Sequence, residues 1–330
     1  MSAIVGLDNV DPGLEHAVRA QIAEVEGLLR EAVKSDYPFV TETSRHLVEA
    51  GGKRFRPLVV LLAARLGDPT APGVVPAAVA IELTHLSTLY HDDVMDEAGL
   101  RRGAESANMR WTNTVAILTG DFLFARASEI AADLGTEPTR ILARTIAVLC
   151  EGQIRETVGP GPDDSAVQHY LRVVRDKTAS LIGTSARLGA MLAGCPAETV
   201  DLVTRFGEQI GMAFQLSDDL LDVEGAPGES GKHPGTDLLE GVRTLPVLYA
   251  LDSVEPAGER LRALLRGDLR RSAGLDEALT LLRDDPAMDR ARASLRDWAE
   301  DARATLAPLP PSPARRALEA LCGLVVTRTG

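Results

Sequence analysis

The chain has 330 residues, of which 45% are apolar and only 4% aromatic, and its formal net charge is −13. This acidic balance argues against nucleic acid as a partner and, more weakly, against binding to anionic lipid. The longest apolar runs are too short to span a bilayer, and the N-terminus does not have the pattern of a signal peptide. We therefore expect a cytoplasmic protein without an integral membrane segment, whose widely spaced cysteines, Cys150, Cys195 and Cys322, are reduced.

Helical periodicity dominates the chain. It begins at residues 14–34, where Val18, Ile22, Val25 and Leu29 recur at spacings of three and four. Further helices are predicted over 40–50, 57–66, 74–95, 112–134, 139–158, 165–194, 198–223, 239–251, 258–265, 275–282, 287–306 and 313–326. No strand pattern of useful length and no internal repeat is present. The expectation is one all-α domain over residues 1–330, a bundle of roughly a dozen helices in which residues 256–330 form peripheral C-terminal helices.

An aspartate cluster ends the predicted helix over residues 74–95, in the sequence HDDVMD. In a helix Asp92 and Asp96 lie one turn apart on the same face, with Asp93 at its edge. Each pair of like charges at this spacing costs a few tenths of a kcal/mol, and a divalent cation removes the repulsion. Taken alone, however, an acidic helix end is more often simply solvated.

A second cluster repeats the same spacing in another apolar helix. Asp218, Asp219 and Asp222 occur in the sequence FQLSDDLLD. Two identical acidic patterns inside apolar helices are not expected from solvation. If the two helices face each other, their carboxylates require cations, and a complex of magnesium with a diphosphate meets that requirement.

Two basic segments accompany the acidic ones. The sequence GGKRFRP, residues 51–57, combines a flexible Gly-Gly turn with three cations at a helix start, and Arg101-Arg102-Gly103 follows Asp96. Glycines let a backbone approach a ligand closely, while Lys and Arg bind phosphate oxygens. Each segment alone fits an exposed loop equally well, but an acidic protein that places both beside acidic motifs favours an anionic ligand.

Together these motifs carry a family resemblance. GGKRFRP, HDDVMD followed by RRG, and FQLSDDLLD followed by a Gly-Lys loop occur in the order found in trans-isoprenyl diphosphate synthases. The chain resembles that family from about residue 53 to residue 246, and the segments at 120–124 (GDFLF) and 177–178 (KT) also match. The resemblance implies the isoprenoid synthase fold, in which helices surround a central apolar cavity, and a homodimer.

The resemblance also implies a role for each matching residue. Asp92, Asp96 and Asp218 would coordinate Mg²⁺, three ions per site with substrate bound, and Asp93, Asp219 and Asp222 would assist. The allylic diphosphate would be held by Arg101, Lys177, Thr178, Gln215 and Lys232, with Lys177 also counted as catalytic. Isopentenyl diphosphate would be bound by Lys53, Arg56, His85 and Arg102. The chain departs from the family where a second lysine often follows the Gly-Lys loop, because here the sequence is Gly235-Thr236-Asp237.

Product length is expected to depend on the helix that precedes Asp92. In the family, a bulky aromatic four or five residues before the first aspartate stops growth early, but this chain has Ser87 and Thr88, with Thr84 one turn further back. From Asp92 back to Ala80 the helix spans ~18 Å without an aromatic ring on this wall. The prediction is a medium- or long-chain all-trans polyprenyl diphosphate, such as a quinone side-chain precursor.

Three alternatives remain at the level of sequence. Geranylgeranyl diphosphate synthase is the nearest, since it differs only in where chain growth stops. A terpene cyclase shares helices and an aspartate motif but does not need the GGKRFRP segment or the second cluster. A partner subunit of a heteromeric synthase usually lacks intact aspartates, whereas both clusters are complete here.

Overall fold

The computed structural model describes residues 11–225, 234–267, 269 and 274–327, almost entirely as helix. The helices are α1 (Pro12–Ala32), α2 (Pro38–Glu49), α3 (Phe55–Ala64), α4 (Val74–Met95), α5 (Ala107–Arg110), α6 (Asn113–Leu134), α7 (Thr136–Val158), α8 (Ala166–Val174), α9 (Ser180–Leu192), α10 (Ala197–Glu224), α11 (Thr236–Glu240), α12 (Leu245–Asp252), α13 (Glu259–Leu265), α14 (Leu275–Arg283), α15 (Pro286–Thr305) and α16 (Pro313–Thr327). The predicted all-α class is confirmed. Two short strands, β1 (Leu100–Arg101) and β2 (Ala104–Glu105), form a single hairpin.

Side-chain caps start several helices where the sequence has a short polar residue. Asp11 accepts a hydrogen bond from the Leu14 amide at 3.0 Å at the start of α1, and proline follows at the first helical position. Thr112 caps α6 in the same way, through the amide of Val115 at 3.2 Å. The helix starts are therefore local properties of the sequence.

Two of the predicted helices are interrupted. The helix expected over 165–194 is divided into α8 and α9 by a π-helical turn at Arg175–Ala179. The helix expected over 239–251 is divided at Gly241, which adopts a left-handed conformation and ends α11, before α12 begins again at Leu245. Periodicity missed both breaks because the apolar spacing continues across them.

The contacts within the chain divide it into two compact units. The first comprises residues 1–147, 180–208 and 305–321, and the second comprises residues 148–179, 209–304 and 322–330. In the first unit α4 is buried on all sides and packs against α1, α3, α6 and α9. This central helix carries the first aspartate cluster at its C-terminal end. The single-domain organisation stays a prediction.

Close approach of α3 and α9 depends on a glycine. A β-carbon at Gly189 of α9 would lie 2.2 Å from the carbonyl oxygen of Val60 in α3. No side chain fits at that distance, so the contact between the two helices requires glycine at this position. It fixes α3, and with it the basic segment that precedes α3.

In the second unit arginines hold the end of α10 just after the second aspartate cluster. Arg283 of α14 donates to the carbonyl of Val223 at 2.7 Å, and Arg292 of α15 pairs with Glu224. Cations near a helix C-terminus satisfy its unpaired carbonyls and complement its dipole. These contacts anchor the helix that presents Asp218, Asp219 and Asp222.

Within the described ranges, no helix combines the length and the apolar character that crossing a membrane would require.

Candidate active site

The first aspartate cluster is split by the helix into inward and outward positions. Asp93 is completely buried, Asp92 is half-buried and Asp96, which follows the last residue of α4, is exposed. Because successive helical residues point in different directions, Asp92 and Asp96 share a face while Asp93 turns into the protein. The sequence-based view of Asp93 at the edge of the face underestimated its burial.

Asp93 holds an arginine that was predicted to bind substrate. Its Oδ1 accepts a hydrogen bond from Nε of Arg101 at 2.6 Å. Burial raises the pKa of the Asp93 carboxyl, and the Arg101 charge and hydrogen bond oppose this rise. The second aspartate of this cluster therefore fixes the orientation of the Arg101 side chain at the hairpin.

The basic segment and the hairpin meet within the first unit. Arg102 and Gly103, both with positive φ (54° and 75°), form the two-residue turn between β1 and β2. The Arg102 guanidinium donates to the carbonyl oxygens of Leu47, at 3.1 Å, and Gly51. A β-carbon at Gly52 would lie 2.9 Å from the centre of that guanidinium. The Gly-Gly turn thus makes room for Arg102, which the sequence places fifty residues away.

Lys53 and Arg56 have different surroundings from the arginine between them. Lys53 is exposed and Arg56 is half-buried, whereas Arg54 is 5% exposed. Arg54 pairs with Glu26, at 2.5 Å, and with Glu82, at 2.8 Å. Burial alone would lower its pKa, but the hydrogen bonds and charges of these carboxylates raise it. Of the three cations of the motif, Arg54 is committed to the protein interior.

His85 lies one turn after Glu82 on α4 and is surrounded by positive charge. Burial, followed by the charges of Arg56, Arg102, Arg54 and Arg101, lowers its pKa well below the ordinary value for histidine. The imidazole is therefore neutral at neutral pH. It can offer an anion a hydrogen bond but no charge.

The second aspartate cluster repeats the division seen in the first. Asp219 is 2% exposed, while Asp218 and Asp222 are half-buried. Asp219 accepts hydrogen bonds from the Tyr170 hydroxyl and from Nε2 of Gln215, the latter at 2.9 Å. Gln215 in turn accepts a hydrogen bond from Thr178 at 2.9 Å. One chain of hydrogen bonds thus joins Tyr170, Asp219, Gln215 and Thr178.

Burial raises the proton affinity of the Asp219 carboxyl. It raises the pKa of this carboxyl to about 6, against the opposing effect of the hydrogen bonds from Tyr170 and Gln215, and the charges of Asp218 and Asp222 raise it further. The same carboxylate and burial raise the pKa of the Tyr170 hydroxyl, which stays protonated as a donor. A buried carboxyl with a raised pKa beside two further carboxylates indicates a cluster in need of positive charge.

Asp222 and Lys177 have structural partners in the second unit. The Asp222 carboxylate accepts hydrogen bonds from the backbone amides of Thr236 and Asp237, at 3.2 and 3.1 Å, and so caps α11. Lys177, in the π-helical turn, pairs with Glu156 at 2.6 Å. The stretch that lacks the second family lysine therefore contributes backbone amides instead. Lys232 lies outside the described residues.

The donor set fits magnesium, although its carboxylates do not form a ready-made cage. No three His, Cys, Asp or Glu side chains of the described segments converge on a point that would hold a metal. Mg²⁺ is usually bound by one or two carboxylates together with waters and substrate phosphate oxygens. The more accessible carboxylates, Asp92 and Asp96 of the first cluster and Asp218 of the second, are oxygen ligands of this kind. The chemistry of each cluster thus fits a hard divalent cation that arrives with a phosphate ligand.

Two of the three predicted chain-length residues are buried within the first unit. Thr84 and Ser87 are buried, at 1% and 4% exposure, and Thr88 is half-buried. The hydroxyls of Thr84 and Thr88 each donate a hydrogen bond to a carbonyl of their own helix at 2.8 Å, so both donors are satisfied within α4.

A surface groove of about 550 Å³ between α2, Ala104 and Arg110 contains none of the predicted site residues.

Sequence reasoning missed Tyr170, Glu82 and Glu156. Glu82 is detectable in principle, because a lone carboxylate in an otherwise apolar helix requires a buried cation. Tyr170 is not marked by any local pattern, since its contact with Asp219 joins residues forty-nine positions apart. Its role follows only from the folded chain.

Comparison with known proteins places this arrangement among related ones. Residues 37–282 match the family model described as Polyprenyl synthetase. The chain is 49% identical to nonaprenyl diphosphate synthase of Mycobacterium tuberculosis, with 100% of this chain and 98% of the relative covered. It is 43% identical to dimethylallyltranstransferase of the same organism over 94% and 95% of the two chains. The crystal structure of geranylgeranyl pyrophosphate synthase from Corynebacterium glutamicum, complexed with calcium and isoprenyl diphosphate, superposes with a TM-score of 0.87 at 43% identity, covering 97% and 98% of the chains.

Proposed function

Because the chain belongs to the polyprenyl synthetase family and is a medium- or long-chain prenyltransferase, we propose that it adds isopentenyl diphosphate head-to-tail to an allylic diphosphate in a Mg²⁺-dependent reaction. The observation that carries the proposal is the shared pattern of the two aspartate clusters. In each, the second aspartate is buried and hydrogen-bonded to protein, while the first and last are more accessible. The accessible carboxylates are then suited to bind the metal ions of a metal–diphosphate complex.

The allylic diphosphate is proposed to be held by the residues that match the motifs of the family. Asp92, Asp96 and Asp218 would hold three magnesium ions, which supply electrostatic stabilisation of the departing diphosphate when bound. Arg101, oriented by Asp93, and Thr178 and Gln215, joined in one hydrogen-bonded chain, would contact its oxygens. Lys177 would add a positive charge to the same anion. These residues act by binding and orienting the substrate. The diphosphate is thereby surrounded by positive charge before its bond to the allylic carbon breaks.

Isopentenyl diphosphate is proposed to bind at the basic segment. Lys53, Arg56 and Arg102 supply positive charge, and the neutral His85 supplies a hydrogen bond. Most buried side chains of α3 and α4 are apolar and would exclude water from a carbocation. The double bond of isopentenyl diphosphate attacks the allylic cation, and a proton is then lost from the adduct.

Two observations support a medium- or long-chain product. The full-length relative at 49% identity carries the name nonaprenyl diphosphate synthase, and the residues at the predicted wall, Thr84, Ser87 and Thr88, are all small. A use of the product as a quinone side-chain precursor stays a prediction.

A homodimer is proposed on the basis of an exposed apolar face on α6. Ile117, Leu118 and Phe124 are 42%, 61% and 38% exposed. Apolar residues exposed along one helix are typical of a surface that another chain covers.

We also propose a cytoplasmic location for the protein.

The product assay tests the proposed function. Purified protein is incubated with farnesyl diphosphate, labelled isopentenyl diphosphate and Mg²⁺, with parallel reactions in Ca²⁺ and in chelator. The expected result is elongation beyond geranylgeranyl length with Mg²⁺ and none with chelator. Products that stop at geranylgeranyl diphosphate would support the short-chain alternative, hydrocarbon formed without isopentenyl diphosphate would support a cyclase, and turnover only after adding a second protein would support a partner subunit.

A further inference from the structure

A buried ion network lies behind the basic segment of the first unit. Glu82, in the middle of α4, is 2% exposed, and its Oε1 lies 2.8 Å from Nη1 of Arg54. The same oxygen lies 3.9 Å from Nη2 of Arg102. One buried carboxylate therefore faces two guanidinium groups from opposite ends of the basic region.

The network joins segments that are distant in sequence. Arg54 immediately precedes α3, and Arg102 occupies the hairpin turn. Both residues adopt left-handed backbone conformations, with φ of 47° and 54°. Residues other than glycine rarely adopt such conformations. Such conformations cost of order 1–3 kcal/mol each and persist only where surrounding contacts fix them. Glu82 is one contact that both arginines share.

Removing the Glu82 charge would affect the two arginines differently. Arg54 also has Glu26, at 2.5 Å, and the carbonyl of Val48, at 2.9 Å. The hydrogen-bond acceptors of Arg102 are the carbonyls of Leu47 and Gly51, which carry no full charge, and Glu82 acts on its charge more strongly than Glu26 does. Without the carboxylate between them, the two guanidinium groups repel each other in a poorly solvated region. The more exposed partner, Arg102, is the one free to move away.

We propose that Glu82 is a positioning residue for the isopentenyl diphosphate subsite, where it holds Arg102 beside the Gly51-Gly52 turn in the orientation that meets the diphosphate. This inference rests on the proposed function, because it assigns Arg102 to that substrate. Glu82 touches no substrate itself. It acts through Arg102, and its effect is therefore specific to one of the two substrates.

The test compares three glutamate-to-glutamine variants of the full chain. Glu82→Gln removes the shared charge with little change of shape. Glu26→Gln removes a carboxylate that forms an ion pair with Arg54 and acts only weakly on Arg102, and so reports mainly the structural contribution of the network. Glu42→Gln is the surface control, since Glu42 is exposed and lies 3.6 Å from Arg110. For each variant the KM of each substrate, kcat and the melting temperature are measured.

Glu82→Gln is expected to raise the KM of isopentenyl diphosphate about tenfold, the change that one lost charge-assisted contact produces. The KM of the allylic diphosphate is expected to stay within about twofold. Glu26→Gln is expected to lower the melting temperature without a comparable change in KM, and Glu42→Gln to change neither. Should Glu82→Gln fail to fold, Glu82→Asp, which withdraws the charge by one methylene, is expected to show the same selective rise.

Several results would overturn the inference. These are an unchanged KM for isopentenyl diphosphate in a folded Glu82 variant, an equal rise for both substrates, or an equal rise in Glu26→Gln. Failure of the proposed function would look different, because the wild-type protein would then not elongate any allylic primer.

Discussion

At the scale of single residues, the two aspartate clusters divide their work in the same way. In each cluster the second aspartate is buried and accepts hydrogen bonds from protein, Asp93 from Arg101 and Asp219 from Tyr170 and Gln215. A buried carboxylate that accepts a hydrogen bond from a neighbouring side chain restrains the orientation of that side chain. In the proposed reaction the more accessible aspartates would bind their ligands beside this frame.

Tyr170→Phe tests this frame in the second unit. Loss of the hydroxyl removes a hydrogen bond to a carboxylate, worth about 1.5–3 kcal/mol. We expect kcat to fall about tenfold or more and the Mg²⁺ concentration for half-maximal rate to rise. Steady-state kinetics over a magnesium titration measure both. Tyr249→Phe is the matched control, because the Tyr249 hydroxyl pairs with Ser294 at 3.0 Å instead. Equal losses in the two variants would contradict the assignment.

His85 gives the protein a dependence of stability on pH. Its pKa is lowered in the folded protein, so below about pH 6.5 the unfolded chain binds a proton that the folded chain does not. The stability that neutral His85 contributes is complete above that pH and is lost as the pH falls toward the folded pKa.

We expect wild-type protein to lose more stability than His85→Gln between pH 7 and pH 5, by up to about 1.4 kcal/mol for each pH unit below 6.5. Urea unfolding at each pH measures the difference. His16→Gln, at an exposed histidine of α1, is the control. Parallel pH profiles for wild type and His85→Gln would show that this histidine does not carry the effect.

At the scale of elements, α4 combines several tasks in one buried helix. It carries the predicted wall residues, His85, the buried Glu82 and the first aspartate cluster within residues 74–96. Spacing along the helix separates these tasks, because residues three or four apart share a face and their neighbours do not.

Ser87→Phe tests the wall on α4. Ser87 is buried on α4, and if the product grows along this wall, a phenyl ring at this position would fill part of the space that the product needs. We expect shorter products at a similar initial rate, measured by chromatography of labelled products. Thr280→Phe places the same ring on an exposed face of α14 and is expected to leave product length unchanged. A full-length product from folded Ser87→Phe would contradict the wall.

Gly189→Ala tests the contact between α3 and α9. The added β-carbon would meet the Val60 carbonyl at 2.2 Å, so the helices must separate, at a cost of about 1–3 kcal/mol in the free energy of unfolding. Gly27→Ala in α1 is the matched control, since its β-carbon would meet nothing within 4 Å. That variant is expected to gain up to about 1 kcal/mol from helix propensity. Chemical denaturation measures both, and a stable Gly189→Ala would contradict the close approach.

At the scale of the whole molecule, the exposed apolar face of α6 predicts self-association. Leu118, at 61% exposure, is its most exposed leucine, and a charge there cannot be buried without a partner. We expect Leu118→Glu to convert a dimer to a monomer in light scattering after gel filtration. Leu28→Glu, at a 39% exposed leucine of α1, is the control and should remain dimeric. A monomeric wild type would contradict the proposal.

The sequence by itself determined the helical class, most helix positions and the two aspartate clusters. These depend on short-range spacing: apolar residues at three and four, caps one turn from their amides, and carboxylates one turn apart. The Gly-Gly turn, the basic residues and the small residues before Asp92 are readable for the same reason. The family resemblance added their roles.

Only the tertiary structure decided which of these residues face inward. The burial of Asp93 and Asp219 depends on the segments that pack around them. Arg54 pairs with Glu26 and Glu82, and Tyr170 donates to Asp219, so these contacts join positions distant in the chain. Likewise, the π-helical turn at Arg175–Ala179 lies where periodicity predicts an unbroken helix. Sequence spacing reports what one helix presents to its own faces, whereas burial and pairing depend on which other segments pack there.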